Sequence, residues 1–355
     1  MRDDGAAALC ALGWDDAWDA TFAPYRDDGL EPGRIAVPHR GGTYDVLTAA
    51  GETRARVPGR LRKETSPSEL PVVGDWVALR TGARGTRSIE AVLPRRTKLS
   101  RRAAHDSETE KRAREQVVAA NVDIVFVAAS LADELKPRLL ERYLALAWES
   151  GAEPVVLLMK ADLEPDPAGA VDDVATIAGD VPVVAVSTRT GLGLDRVRSI
   201  LAPRLTGSLV GPSGVGKSTL VNALVDEELL ATGSLAGDGM GRHTTTRRQL
   251  VVLPEGGIVV DNPGIRELYL WIAADGLEET FADIVELAAH CRFADCRHDT
   301  EPGCAIRAAL ADGSLSADRW RSYRELEREQ AELEERLARR ERSRARRRRP
   351  GTGGS

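Results

Sequence analysis

Apolar and polar positions follow two distinct rhythms along this chain. Residues 1–30 show no sustained period and predict a loose N-terminal arm. From Gly33 to about Leu99 the pattern is one of short β-like runs, GRIAV, TYDVLTA, TRARVPGRL, DWVALR and SIEAVL. Clusters of Gly, Pro and Ser (PHRGG, ETSPSELPVVG, TGARGT) separate them. Five short strands at this spacing predict a small antiparallel barrel over 31–99, and basic loops make an OB-type barrel the natural form. A polar connector, 100–116, follows it.

From Val117 the rhythm changes. VDIVFVAAS, PVVLLMK and PVVAVS are continuous apolar runs, as parallel strands buried on both faces require. RLLERYLALAWES, VDDVATIAG, LDRVRSILA and STLVNALVDE alternate with them at helical spacing, and GSLVG, RQLVVLP and GGIVVDNPG supply further strands. The alternation predicts a doubly wound α/β domain over 117–272. A mostly helical domain is expected over 273–326, then a charged helix and basic tail over 327–355. The long helix starts near Ser316, and its Trp320, Tyr323, Leu326, Leu333 and Leu337 read as a packing stripe.

Composition sharpens this picture in three ways. No run of about 18 apolar residues is present, and an acidic N-terminus lacks the basic lead of a secretion signal, so a cytoplasmic protein without a membrane partner is expected. The net charge of −6 conceals a block from Arg80 to Arg102 with eight basic residues against one acid, Glu90. That block and the closing RSRARRRR at 342–349 predict contact with nucleic acid. Three of the four cysteines fall between Cys291 and Cys304, which in a reducing compartment points to a metal rather than disulfides.

The strongest chemical signal is Gly211-Pro212-Ser213-Gly214-Val215-Gly216-Lys217-Ser218, followed by Thr219. A strand-like SLV precedes it and a helical pattern follows, the context in which backbone N–H groups wrap phosphates. Lys217 is expected to reach the β- and γ-phosphates and Ser218 to ligate Mg²⁺. Asp261-Asn262-Pro263-Gly264 ends an apolar strand; Asp261 suits Mg²⁺ and the Gly264 N–H a γ-phosphate. Between them lies Gly241-Arg242-His243-Thr244-Thr245-Thr246, where one threonine, taken as Thr245, is placed to complete the Mg²⁺ ligands. Arg242 or His243 could stabilise charge or orient water.

A base-recognition motif normally follows these elements, but here it precedes them. Met159-Lys160-Ala161-Asp162 closes one buried strand, and Ser187-Thr188-Arg189-Thr190-Gly191 closes the next. Base motif, base loop, P-loop, switch I and switch II therefore run in a circularly permuted order. Finally, Cys291-x4-Cys296-x-His298-x5-Cys304 offers three thiolates and one imidazole, a closed tetrahedral set suited to one structural zinc. His290 is a conceivable substitute ligand.

With VGDWVAL, GPSGVGKSTLVNAL, GRHTTT, DNPGIREL and CRFADCRHDTEPGCAI, residues 33–326 resemble the ribosome small subunit-dependent GTPase A (RsgA, or YjeQ) family. The resemblance implies an OB-fold, a permuted GTPase domain and a zinc domain at those four ligands. It implies GTP hydrolysis in late maturation of the small ribosomal subunit, in contact with its rRNA, and a monomer is expected. It also favours His243 as the catalytic group, since Ile265 stands where Ras-type enzymes orient water with Gln. One position departs from the family: Met159 replaces the Asn that bonds the base and ties neighbouring loops. Losing one net hydrogen bond predicts roughly 2- to 13-fold weaker binding, with guanine preference kept by Asp162. An RNA-binding scaffold with little turnover, or a metal-handling P-loop NTPase, are the competing readings.

Overall fold

The computed structural model describes residues 3–102, 115–201, 203–225, 249–261 and 274–328, together with positions 330, 331 and 335. At the N-terminus it corrects the expected loose arm. Helices α1 (Asp3–Ala11) and α2 (Asp16–Asp27) form a hairpin. Asp15 caps α2 by accepting the Trp18 N–H at 2.8 Å. Trp14, Trp18, Phe22 and Tyr25 recur at helical spacing, and the first three are buried with Trp76 in one aromatic cluster.

Strands β1 (Glu31–His39), β2 (Thr43–Thr48), β3 (Gly51–Arg56), β4 (Trp76–Thr81) and β5 (Arg87–Val92) close a barrel in the order β1-β2-β3-β5-β4. The run expected as one strand after Thr53 ends at Arg56, and helix α3 (Gly59–Glu64) follows Pro58. β4 explains why the barrel lacks a clean alternation. Its Val77 and Leu79 fill the barrel interior, while Trp76 and Ala78 face the α1–α2 hairpin, so both faces are buried.

The ends of the expected connector are ordered as well. β6 (Lys98–Arg102) pairs antiparallel with β7 (Glu115–Ala120). Beyond it lie β8 (Ile124–Ser130), helix α4 (Pro137–Glu149), β9 (Glu153–Met159), α5 (Pro167–Ala178), β10 (Val183–Val186) and α6 (Leu194–Leu201). β11 (Thr206–Val210), α7 (Lys217–Val225), β12 (Gln249–Val252) and β13 (Ile258–Asp261) complete the α/β domain. The sheet order is β10-β9-β8-β11-β13-β12, parallel except for β12. The chain runs outward from β8 to β10, then returns to β11 on the other side of β8. The carboxyl ends of β8 and β11 therefore flank the topological switch point, the favoured ligand crevice of such sheets.

Helices α8 (Ala274–Thr280), α9 (Ala282–Ala289), α10 (Ala305–Asp312) and α11 (317–328) form the C-terminal unit. Its apolar core includes Phe281, Ile284, Ile306, Leu315 and Leu326, with Trp320 and Tyr323 packed on it, and it reaches Ala145 of α4. Glu141 of α4, buried, accepts from Ser322 Oγ at 2.5 Å and Arg319 at 3.0 Å, fixing the unit to the sheet domain.

One cation holds the other junction. Arg34 of β1 is 2% exposed and donates to the carbonyls of Leu12, Gly74 and Asn121 and to Thr206 Oγ1. It thereby joins hairpin, barrel, ribbon and the first residue of β11. Burial lowers its pKa to about 10, with Asp123 and Asp75 opposing, so it remains charged at neutral pH. Arg34→Met should lower stability by about 3 kcal/mol or more, because it strands several buried acceptors at ~1–3 kcal/mol each. A thermal midpoint unchanged within error would contradict this assignment.

Candidate functional site

The loop 211–218 connects the end of β11 to α7. Gly211 has φ +139°, and a Cβ there would lie 2.4 Å from the Ala128 carbonyl oxygen of β8, so the loop enters where only glycine fits. Val215 is 2% exposed and anchors the loop among Leu209, Val186 and Leu220, while Ser213 and Gly214 are exposed. Pro212, Gly216, Ser218 and Lys217 are partly buried and Thr219 is exposed. The Lys217 ammonium curls over the loop, donating to the carbonyls of Gly211 at 2.8 Å and Pro212 at 2.7 Å. Burial pulls its pKa down to about 8, and Asp261 works against that shift.

Asp261 ends the neighbouring strand β13, 2% exposed. Its Oδ2 is buried without a hydrogen-bond partner, and burial raises the carboxyl pKa to about 6, moderated by Lys217. A buried, unpartnered carboxylate oxygen beside a phosphate loop has the chemistry of a Mg²⁺ ligand. Ser218 stands at the start of α7 in the same region.

The base-side residues lie farther along the same sheet edge. Met159 ends β9, and Lys160 takes a left-handed conformation, φ +60°, that turns the chain into the short 3₁₀ turn Ala161–Leu163. Among the described residues only four non-glycines have positive φ, and two, Lys160 and His298, belong to the candidate sites. Asp162 Oδ1 accepts from the fully buried Ser187 Oγ at 2.7 Å. Ser187 Oγ in turn receives the N–H of Thr190 at 3.2 Å, so base motif and base loop are bonded to each other, with Thr188 half-buried between them. Met159 is buried, and its methyl lies 3.5 Å from where a Cβ on Gly216 of the P-loop would sit. Side-chain direction at a strand end is not legible in the sequence.

Cys291, Cys296, His298 and Cys304 come together in the C-terminal unit, with their ligand atoms all within 4.8 Å of one another. Cys291 Sγ and Cys304 Sγ are 4.0 Å apart, and each is 3.5 Å from His298 Nδ1. A tetrahedral ion bound at ~2.3 Å to sulfur and ~2.0 Å to nitrogen sets S–S near 3.8 Å and S–N near 3.5 Å. The set therefore fits a single metal ion, and 4.0 Å is far beyond a disulfide bond. Backbone N–H groups of Ala305 and Arg307 point at Cys291 and Cys304 sulfur, at 3.4 and 3.5 Å, which favours thiolates. His290 instead bonds the Glu286 carbonyl and is not among the clustered ligands.

Part of the basic block is paired within the protein. Arg95 forms a forked ion pair with the buried Asp75 at 2.8 Å, Arg87 pairs with Glu31 at 2.7 Å, and Arg101 bonds Gln116 at 3.0 Å. Arg96 pairs with Asp15 and stacks 4.1 Å over Trp18. These side chains tie the barrel, hairpin and ribbon together, while Arg80, Arg96 and Lys98 of the same block remain exposed. Exposed arginines occur elsewhere on the barrel, at Arg40, Arg56 and Arg62. His243, Thr245 and Gly264, like Arg242, Ile265 and the 342–349 tail, lie outside the described residues.

Comparison with known proteins gives this arrangement its family. The profile described as RsgA GTPase matches residues 92–271. The chain belongs to the RsgA GTPase family. It is 47% identical over 327 residues to the small ribosomal subunit biogenesis GTPase RsgA of Streptomyces coelicolor, covering 91% of this chain and 87% of that one. With the protein of the same description from Opitutus terrae it shares 45% over 335 residues, covering 91% and 90%. The crystal structure of YjeQ from Thermotoga maritima superposes with a TM-score of 0.61 at 27% identity, covering 86% of this chain and 98% of that one. The chain is thus a GTP-hydrolysing enzyme whose motifs are circularly permuted on the sheet.

Proposed function

We propose that this GTPase acts in late maturation of the small ribosomal subunit, as a cytoplasmic monomer whose slow hydrolysis is accelerated by docking on the subunit. The observation that carries the reading is the meeting of P-loop, Asp261 and the Asp162–Ser187 pair along one sheet edge, in a chain 45–47% identical to relatives named for that role. No helix among the described residues is long and apolar enough to cross a membrane.

In this reading the N–H groups of 211–219 wrap the β- and γ-phosphates, and Lys217 leaves the Gly211 and Pro212 carbonyls to meet the γ-phosphate. Asp162, oriented by Ser187 and flanked by Met159, Lys160 and Thr188, pairs with the guanine N1–H and amino group. Ser218, Asp261 and Thr245 are the residues suited to hold Mg²⁺, which when bound neutralises charge between the phosphates. His243 positions the attacking water, and the Gly264 N–H reports the γ-phosphate. The barrel over 31–99 grips rRNA, 117–272 turns over nucleotide, and 273–326 is held by one structural zinc at Cys291, Cys296, His298 and Cys304. Four protein ligands leave no open position, which supports a structural rather than a transported metal.

Because Arg95 is held by the buried Asp75 and Arg96 is paired with Asp15, the arginines to test are Arg40, Arg56 and Arg62. Their combined replacement by Gln should weaken co-sedimentation with purified small subunits about tenfold or more. Raising salt should weaken the wild type in the same way, since phosphate contacts release counterions. Binding indifferent to both changes would remove the barrel from the interface.

A further inference from the structure

Between helices α4 and α5 and the C-terminal unit runs a groove of about 870 Å³, none of whose lining residues belongs to the nucleotide or zinc sites. Leu144, Trp148, Ile177, Val181 and Leu315 supply its apolar lining, of which Trp148 and Ile177 are only half-buried. Six carboxylates line it against two guanidiniums, those of Arg138 and Arg319. Both cations are already answered, Arg138 by Glu325 at 3.1 Å and Arg319 by Glu141 and Asp283 at 3.0 and 2.7 Å. Asp318 is paired with Arg321. Asp180, Glu279 and Glu286 are exposed and have no ion pair among the described residues.

The way Arg319 is held shows what this groove accepts. Besides the two carboxylates, its guanidinium donates to the Ile177 carbonyl at 3.4 Å, in the last turn of α5. It also donates to the Thr280 carbonyl at 3.1 Å, at the end of α8, and lies 5.0 Å from the Phe281 ring. Carbonyls at helix C-termini carry partial negative charge and, with carboxylates and aromatic faces, favour a flat, weakly hydrated cation. We infer that the rest of the groove binds the chain's own arginine-rich tail, 342–349. Six of those eight residues are arginine and none is lysine. Helix α11 brings the chain there: its Asp318 and Arg319 line the groove, and its Glu325 holds the lining Arg138. From 328, fourteen residues lead to 342, up to ~50 Å when extended at ~3.6 Å each, ample for the tail to turn back. The excess of carboxylates repels phosphate, so RNA competes with the groove for the tail and does not occupy it.

The inference stands apart from the nucleotide site. Its test uses full-length protein and a fluorescent peptide of sequence RSRARRRR, at low salt. A tail variant with Arg342, Arg344, Arg346, Arg347, Arg348 and Arg349 replaced by Gln should bind the peptide with micromolar affinity. Wild-type protein should bind it about tenfold more weakly or worse, because its own tail competes at an effective concentration near ~1 mM. Adding Asp180→Asn, Glu279→Gln and Glu286→Gln to the tail variant should cost about tenfold; all three side chains are exposed, so the fold is not at stake. Raising salt should weaken binding as well. Equal affinity of wild type and tail variant would overturn the inference, since the groove would then be open to a basic segment of another protein. So would indifference to the three groove substitutions, or absence of peptide binding at low salt.

Discussion

Replacing Lys217 with alanine is expected to slow GTP hydrolysis by about a thousandfold or more while leaving the fold intact. The reason lies in how the ammonium is held. Its bonds to the Gly211 and Pro212 carbonyls are all within the loop, so no distant element depends on it. Partial burial has already stripped much of its water, and the same burial pulls its pKa down to about 8. A poorly hydrated cation beside transferring phosphate exerts its field with little reorganisation at the moment of reaction. Loss of one neutral donor at such a site costs about 10²–10³ in rate, and charge-assisted bonds are stronger. Lys217→Arg should not rescue the rate, because a planar guanidinium cannot follow the tight curl of this loop. Single-turnover phosphate release at saturating GTP checks this. A residual rate within tenfold of wild type would contradict it.

The second large effect concerns the metal. Chelation, or Cys304→Ser, is expected to unfold the 291–312 region while the six-stranded sheet survives. The apolar core of the C-terminal unit is small; ligand Cys304 belongs to it, and Cys291 and Cys296 pack against it. Cys304 also caps α10, accepting the Arg307 N–H through its sulfur. Binding free energies of about 10–16 kcal/mol are typical of structural zinc, more than this small core could supply alone. Trp320, whose ring lies 5.6 Å edge-on to His298, should lose its packed surroundings. Amide exchange should accelerate in α9 and α10 and stay slow in β8, β9 and β11. Protein purified without chelator should contain one zinc per chain; absence of zinc, or unaltered exchange after chelation, would count against the site.

Much of this arrangement is legible in the sequence because it rests on spacing. Continuous apolar runs disclose the buried parallel strands, and the glycines of 211–216 disclose the phosphate loop, since both are local consequences of burial and backbone geometry. The ligand spacing from Cys291 to Cys304 likewise survives folding unchanged. What is not legible depends on partners distant in sequence. Arg95 and Arg96 look like free charge until Asp75, 20 residues away, and Asp15, 81 away, are folded against them. Arg34 resembles any strand arginine, yet its acceptors come from Leu12, Gly74, Asn121 and Thr206. The α1–α2 hairpin did carry a signal in the spacing of Trp14, Trp18, Phe22 and Tyr25 behind the capping Asp15. Acidic residues and Pro24 dilute it below the level at which a period stands out.

The central claim is that nucleotide turnover in this site answers to the small ribosomal subunit. It is tested most directly by the rate of phosphate release from saturating GTP, at low salt, with and without purified small subunits. Alone, the protein should turn over near ~10⁻⁴–10⁻³ s⁻¹, the range of unassisted Ras-type sites. Subunits should raise that rate by at least about tenfold, and Lys217→Ala should abolish the increase. Equal rates with and without subunits would contradict the account and favour an RNA-binding scaffold that holds GTP without using it.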